Sequence, residues 1–534
     1  MFCGLAILGV GSAAAATRDV VSFDFGWKHR TGLTQRAKSD DPPPVNPNPG
    51  LSPPESAPSF KDDDWQLVQL PHDGLIGNAA SSHACPDGCS GRSYIPRHVL
   101  WYRKAFNLPS TWAGSAIWLD FEGSFRNTTV WINGQLAASH DCGYTPFRLR
   151  LDNITAVKYG TSNVIAVFVD PDNGDSGGRD HGSGWWYEGG GLYRRVQLVR
   201  TDLVHIEQDG LFAYSNLSSH GLASATPSAV VHASAAVSNE RNVSVSVCVK
   251  FSIDDPNGAP VAGVQGSGLP GVTVDVSHGA SVTVRASLDV ANPKLWSSST
   301  PTIYTVTAIV LAGACGSSPA TPLDEVSVQH GFRSLRYDAN AGFFLNGEHF
   351  KVRGFCDHNT FAIVGMAVPE RINLFRAQAS RAVGGNGRRT SHNPPDSAML
   401  EIYDRVGVVV MDENRLFANE TRYVTNMGAM VKRDRNHPSV VIWSFCNEAG
   451  CEGSHETGGP RFREISYKYD GSRPTLANMF TFGDLLSNTI DVQGFSHQSR
   501  TKLEACHEKL PYKPIYMSEC CSCNTMRDED EGAA

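Results

Sequence analysis

Basic residues are the first shortage in this 534-residue chain. Lys and Arg number 46 against 54 Asp and Glu, leaving a net charge of −8 and an isoelectric point near 6.1. Such a balance carries no electrostatic footprint for nucleic acid or for an anionic membrane surface. Long apolar runs are scarce too. The one worth weighing, Phe2 to Val10, is too short to span a bilayer. Helical periodicity is missing before about residue 335, and turn chemistry stands there instead, with 51 Gly and 30 Pro in the whole chain. Hydrophobic residues at 41% still provide core enough for several domains.

The opening "MFCGLAILGVGSAAAA" has no basic start. Its apolar run followed by small residues is nevertheless the pattern of a signal peptide over residues 1–16. It predicts passage through the secretory pathway, to the exterior or to a vacuole or lysosome. Of thirteen Cys, loss of Cys3 with that segment leaves an even twelve, which suits an oxidising compartment. Cys85 and Cys89 in "HACPDGCSGR" read as a small disulfide rather than a zinc site, because no second ligand pair stands nearby. The N-x-S/T triplets at Asn127, Asn153, Asn216, Asn242 and Asn419 are acceptors for glycosylation on that route.

The prolines of "DPPPVNPNPGLSPPESAPS" exclude helix and inner strand, so this stretch is an extended surface loop. From there to residue 200, "SAIWLDFEG", "NTTVWINGQL" and "NVIAVFVD" alternate apolar and polar residues between turn signals. Residues 17–200 therefore read as a β-sandwich. Residues 201–333 hold Val- and Ser-rich strands such as "AVVHASAAVS" and "RNVSVSVCVKFSI", an immunoglobulin-like sandwich.

Over 334–534 strands and helices alternate. The strands are "HFKVRGFCDH", "GRRTSH", "VVVMDEN", "VVIWSFCNE", "TLANMF", "TIDVQGFSH" and "PIYMSE", with helices such as "PDSAMLEIYDRVG" between them. That is the pattern of a (β/α)8 barrel. Only seven strands are counted, and the acidic "DEDEGAA" closes the sequence, so the barrel reads as truncated after the seventh. Barrel chemistry gathers at the C-terminal strand ends. There the sequence places His358, His392, Asp412, Glu413, Asn447, Glu448, His497 and Glu519.

Two carboxylates facing each other across a barrel mouth suit glycoside hydrolysis, one protonating the leaving oxygen and the other attacking the anomeric carbon or activating water. Glu448 ends the fourth strand and Glu519 the seventh. Asn447 can donate to a sugar hydroxyl, and His358 and His392 can bond others. Asp412 and Glu413 are adjacent carboxylates that could take a divalent cation, but a helix-start or salt-bridge role is the commoner use of such a pair. Cys446 and Cys451 flank Glu448 and lack an activating partner, so packing or a disulfide is their expected role.

Several long stretches carry a likeness. "LPHD", "WYRKAF", "FEGSFRNTTVWINGQLAASHDCGYTPF", "WWYEGGGLYRRVQL", "NPKLWSSSTPTIYTV", "GFFLNGEHFKVRGFCDH", "RRTSHNPP" and "NHPSVVIWSFCNE" follow one another in order. In them the chain resembles glycoside hydrolase family 2, most closely its β-galactosidases, over roughly residues 60 to 530. The resemblance implies a jelly-roll, sugar-binding-like first sandwich. It implies Glu448 as acid/base, Glu519 as nucleophile, and Asn447, His358, His392 and His497 as substrate-binding residues. It also implies a covalent glycosyl-enzyme and release of terminal β-D-galactosyl residues with retention. Arg388 departs from the family, which has an apolar or aromatic residue there. The spacing after "MDEN" lacks the family's Mg²⁺ ligands, so no metal and no cofactor are expected. The expected partner is a β-galactoside, with neither nucleic acid nor membrane, and a homo-oligomer is open. The alternatives are a β-glucuronidase or β-mannosidase of the same family, or a catalytically impaired carbohydrate-binding protein. A uronidase needs cations near the sugar carboxylate, and no N-x-K triplet stands near the late strands.

Overall fold

The period-two alternation of strand side chains builds the first sandwich. In the strand Ala116–Phe121, Ile117, Leu119 and Phe121 are fully buried, because successive side chains leave opposite faces of a pleated strand. The strand Ser162–Val169 repeats the pattern with Ile165, Val167 and Val169. These strands belong to a four-stranded and a six-stranded antiparallel sheet, which close on one core that also holds Trp27, Leu100 and Tyr102. The computed structural model describes residues 18–32, 52–80, 95–171, 186–218, 227–261 and 271–520. The expected signal peptide and the Cys85/Cys89 pairing lie outside the described residues.

A second sandwich follows. Its strand Ser228–Asn239 buries Ala229, Val231, Ala233, Ala235 and Val237 and turns the residues between them outward. A three-stranded and a four-stranded sheet enclose its core, and a Cys248–Cys315 disulfide ties one end.

Next comes a small three-stranded sheet, Leu335–Asp338, Gly342–Leu345 and Glu348–His349. The stretch "HFKVRGFCDH" is thus not one strand: its start completes this sheet and only Gly354–Cys356 joins the barrel. Phe343 and Leu345 share an apolar cluster with Met411, Ile442, Leu476 and Val492, so the small sheet packs against the barrel's apolar layer.

The barrel has parallel strands β1 (Gly354–Cys356), β2 (Gly387–Arg389), β3 (Val409–Glu413), β4 (Val440–Asn447), β5 (Thr475–Met479), β6 (Val492–Ser496) and β7 (Ile515–Glu519), paired in that order. Helices α1 (Glu370–Ala382), α2 (Ser397–Val406), α3 (Thr421–Asp434), α4 (Gly459–Tyr469), α5 (Leu485–Thr489) and α6 (Arg500–Lys509) lie between them. Helix α2 is held at both ends: Asp396 accepts from the Ala398 N–H at its start, and Gly407 adopts φ 75° at its end. The barrel is nearly closed, with one seam. Across it the Cys356 thiol of β1 donates to the Ser518 carbonyl of β7.

The first sandwich reaches the barrel through Arg194, which donates to the Pro394 carbonyl, and Asp73, which accepts from the Met366 N–H. The second sandwich adds Trp296, whose indole N–H donates to the Asp404 carbonyl on α2.

Candidate active site

Barrel strands alternate between the helix layer and the interior. On β3, Met411 joins the inner apolar cluster, and Glu413 lies one polar layer above it. Between them Asp412 faces α3: burial and the neighbouring Asp434 push its carboxyl well above the usual range. Asp412 therefore stands outside the site, although the sequence places it at the same strand end. On β2 the same alternation turns Arg388 outward to an ion pair with Asp357 and Arg389 inward.

Strand β4 breaks its own alternation. Ile442 and Ser444 face inward, the serine hydroxyl donating to Glu413 Oε2 at 2.8 Å. Continued alternation would bring Cys446 inside next. A register shift between Ser444 and Asn447 intervenes, as a β-bulge does, and Cys446 packs with the helix-side core instead. Asn447 then points into the mouth. Cys446 forms a disulfide with Cys451, in line with the expected role, and this closes the turn that begins at Glu448.

The interior hub is Arg389, a residue that sequence reading did not single out. Its guanidinium donates twice to Glu413, at 2.8 and 2.9 Å. It also donates to Asn447 Oδ1 at 2.6 Å and to Glu519 Oε2 at 2.5 Å. Burial works against its charge, but the Glu413 and Glu519 carboxylates outweigh burial and hold the group charged. The salt-bridge reading of Glu413 holds, with Arg389 and His392 as its partners. Burial would raise the Glu413 carboxyl, yet Arg389 and the His392 hydrogen bond bring it below its usual value.

These donors settle the orientation of the Asn447 amide. Asn478 Oδ1 accepts from the Ser518 hydroxyl, so its Nδ2 donates to Asn447 Oδ1 at 2.6 Å. With Arg389 also donating to that oxygen, Asn447 presents its NH₂ as the remaining group, which is the donor a sugar hydroxyl needs.

Glu448 has φ 51° directly after β4, and its Oε1 accepts from the Ser496 hydroxyl of β6 at 2.6 Å. Glu519 ends β7. Oxygens of Glu448 and Glu519 and a ring nitrogen of His497 all lie within 4.8 Å of one another. That trio is also a donor set a cation could use. His497 Nε2 is 3.4 Å from Glu519 and 3.9 Å from Glu448.

The two remaining histidines are oriented from behind. His392 Nδ1 donates to Glu413 Oε1 at 2.7 Å, and its Nε2 lies 3.9 Å from Glu519. His358 Nδ1 bonds the Ser391 carbonyl at 2.9 Å. Burial pushes the His358 ring below its usual pKa, so it is neutral and leaves Nε2 as an acceptor. Trp186, from the first sandwich, stacks on His358 with ring centroids 4.3 Å apart and planes at 9°, and Arg415 covers Trp186 at 4.7 Å. The sequence quotes Trp186 within "WWYEGGGLYRRVQL" but gives no sign that it reaches the barrel mouth.

All six residues expected in the site thus converge on one mouth. Arg389, Ser496, Asn478 and Trp186 are additions, and Glu413 enters as the partner of Arg389. The signal for the three polar ones was weak, a polar residue at an inward position of an apolar strand, visible only once the bulge and the strand faces are known; for Trp186 there was none.

Comparison with known proteins adds a family. Residues 92–202 match the model of the glycosyl hydrolases family 2 sugar binding domain, 204–333 that of glycosyl hydrolases family 2, and 339–519 that of its TIM barrel domain. The chain is 32% identical over 404 residues to beta-galactosidase BoGH2A of Bacteroides ovatus, covering 73% of this chain and 44% of that protein. It is 27% identical over 421 residues to a beta-glucuronidase of Formosa agariphila, covering 74% and 41%. A crystal structure of a glycosyl hydrolase family 2 member from Bacteroides cellulosilyticus superposes with a TM-score of 0.79 at 26% identity, over 93% of this chain and 61% of that one. The chain spans about half the length of the curated relatives it matches.

Proposed function

Since the chain belongs to glycoside hydrolase family 2, we propose that it is a retaining β-galactosidase in which Glu519 is the nucleophile and Glu448 the acid/base. The observation that carries this reading is the approach of Glu448 and Glu519 within 4.8 Å. Retaining enzymes hold their carboxyl groups about 5–5.5 Å apart, whereas inverting ones leave roughly 6.5–9.5 Å for a water. The partners of the two groups support the division of roles. Glu519 is ion-paired with Arg389, as suits an acceptor-only nucleophile, and Glu448 is held by a neutral hydroxyl.

In the first half-reaction a Glu519 oxygen bonds the anomeric carbon, the glycosidic C–O bond breaks, and the Glu448 proton passes to the leaving oxygen. In the second, water attacks the same carbon, its proton returns to Glu448, and Glu519 leaves as a carboxylate. The free NH₂ of Asn447 and Nε2 of His358 bond sugar hydroxyls, and His392 lies beside the nucleophile. A neutral sugar is favoured because the arginines described about the mouth are engaged: Arg389 by Glu413 and Glu519, Arg388 and Arg376 by Asp357, and Arg415 by Glu188 and Trp186. A uronide carboxylate would compete with one of them.

Initial rates on aryl β-galactoside, β-glucuronide and β-mannoside test the sugar, and a faster glucuronide would reverse the assignment. Glu519→Gly tests the nucleophile. We expect loss of about four orders of magnitude or more and formation of a glycosyl azide when azide is supplied; normal hydrolysis without azide overturns the role. A secretory route belongs to the same reading, supported by the two disulfides among the described residues and by exposed Asn153, Asn216, Asn242 and Asn419. A mass decrease on glycosidase treatment of protein from a eukaryotic host checks it.

A further inference from the structure

We propose that His497 is a positioning residue shared by the two carboxylates, rather than a sugar ligand; this rests on the roles assigned above to Glu448 and Glu519. Its Nε2 lies 3.4 Å from Glu519 Oε1 and 3.9 Å from Glu448 Oε1, so its one outward nitrogen already faces both. The backbone holds it there. His497 takes φ 50°, a left-handed conformation uncommon for a residue with a side chain, and its N–H donates to the Glu519 carbonyl at 2.9 Å. The preceding residue, Ser496, donates to Glu448 Oε1. Two consecutive residues at the end of β6 therefore bracket β4 on one side and β7 on the other.

The reaction gives that placement a use. When Glu519 bonds the anomeric carbon it loses its negative charge, and Glu448, having given its proton to the leaving oxygen, acquires one. Hydrolysis of the glycosyl-enzyme sends the charge back. A donor lying between the carboxylates serves Glu519 before the first step and Glu448 before the second by a small tilt of the ring. The side chain is 37% exposed, so the ring has room to tilt. Among the described residues, the Arg389 guanidinium and the His392 ring approach the other oxygen of Glu519, Oε2. His497 is thus the ionisable side chain that lies against both carboxylates among the described residues.

The test uses the full chain with His497→Gln and His497→Phe, checked by thermal melting, with His497→Ala as substitute if the Phe variant melts early. Aryl β-galactosides with poor leaving groups report the first half-reaction through kcat/KM, and those with good leaving groups report the second through kcat. We expect the Gln variant, which keeps a donor, to stay within about threefold of wild type. The Phe variant should lose about ten- to a hundredfold in both half-reactions with KM not raised. A raised KM with kcat retained would make His497 a sugar ligand and overturn the proposal. So would slowing of one half-reaction alone, equal loss in Gln and Phe variants, or activity abolished by a chelator and restored by a divalent cation. If wild type turns over none of the aryl glycosides, the functional reading falls and this proposal with it. If wild type is active and the variants misbehave, only the role of His497 falls.

Discussion

Replacing Arg389 by Lys keeps the charge and removes the fork. The guanidinium makes four short hydrogen bonds to three groups: two to Glu413, one to Asn447 and one to Glu519. An ammonium is a point donor on a shorter reach, and it cannot span them all. Hydrogen bonds to charged groups contribute about 1.5–3 kcal/mol each, so losing two of the four costs about 3–6 kcal/mol in all. Part of that loss falls on the folded state, because Glu413 has 0% side-chain exposure and needs its partner. The part felt in the transition state, about 2–3 kcal/mol, is roughly a 30- to 150-fold fall in kcat/KM. Arg389 lies behind Glu519 and Asn447, so the fall should be in kcat more than in KM. The assay is steady-state hydrolysis of an aryl β-galactoside beside a melting curve. An Arg389→Lys variant within threefold of wild-type kcat/KM, with an unchanged melting temperature, would refute the hub.

Trp186→Ala should remove the ring that seats His358. A stacked aromatic pair is worth about 0.5–1.5 kcal/mol beyond its buried area, so KM should rise about two- to tenfold while kcat changes less; an unchanged KM would detach the first sandwich from the sugar site. His437 gives a pH prediction. Burial lowers its pKa, but the Asp404 partner at 2.6 Å outweighs burial and the net shift is upward. A raised folded pKa means stability present in full below the ordinary imidazole value near 6.5 and lost as pH rises through the folded value. His437→Gln should therefore cost about 1–3 kcal/mol at pH 5.5 and less at pH 8.5, read from urea unfolding; equal costs at the two pH values would contradict the ion pair.

Much of this site was written in the local pattern. Glu448, Asn447 and Glu519 stand where apolar strands turn polar, and strand ends can be found by periodicity alone. The order of the strands, and so the opposition of the fourth and seventh, followed from counting. Strand faces were harder. Asp412 and Glu413 are neighbours in sequence and opposites in space, and only the register tells which one meets Arg389. Helix α5 is five residues long, shorter than the window in which a 3.6-residue period can be recognised. Trp186 was out of reach because its partner His358 is distant in sequence and belongs to the barrel, and no local pattern encodes such a meeting.

The shift in β4 also changes a count. Between Ser444 and Asn447 the chain carries one residue more than plain alternation needs. Substitutions at Phe445 alter packing and leave that count alone. Deleting one residue there would remove the bulge and restore plain alternation: Asn447 would still face inward opposite Asn478, Trp443 would stay in its core, and one residue instead of two would face the helices. The extra residue is thus spent not on the facing of Asn447 but on the helix side of the strand, where it lets both Phe445 and Cys446 enter the core that backs the mouth.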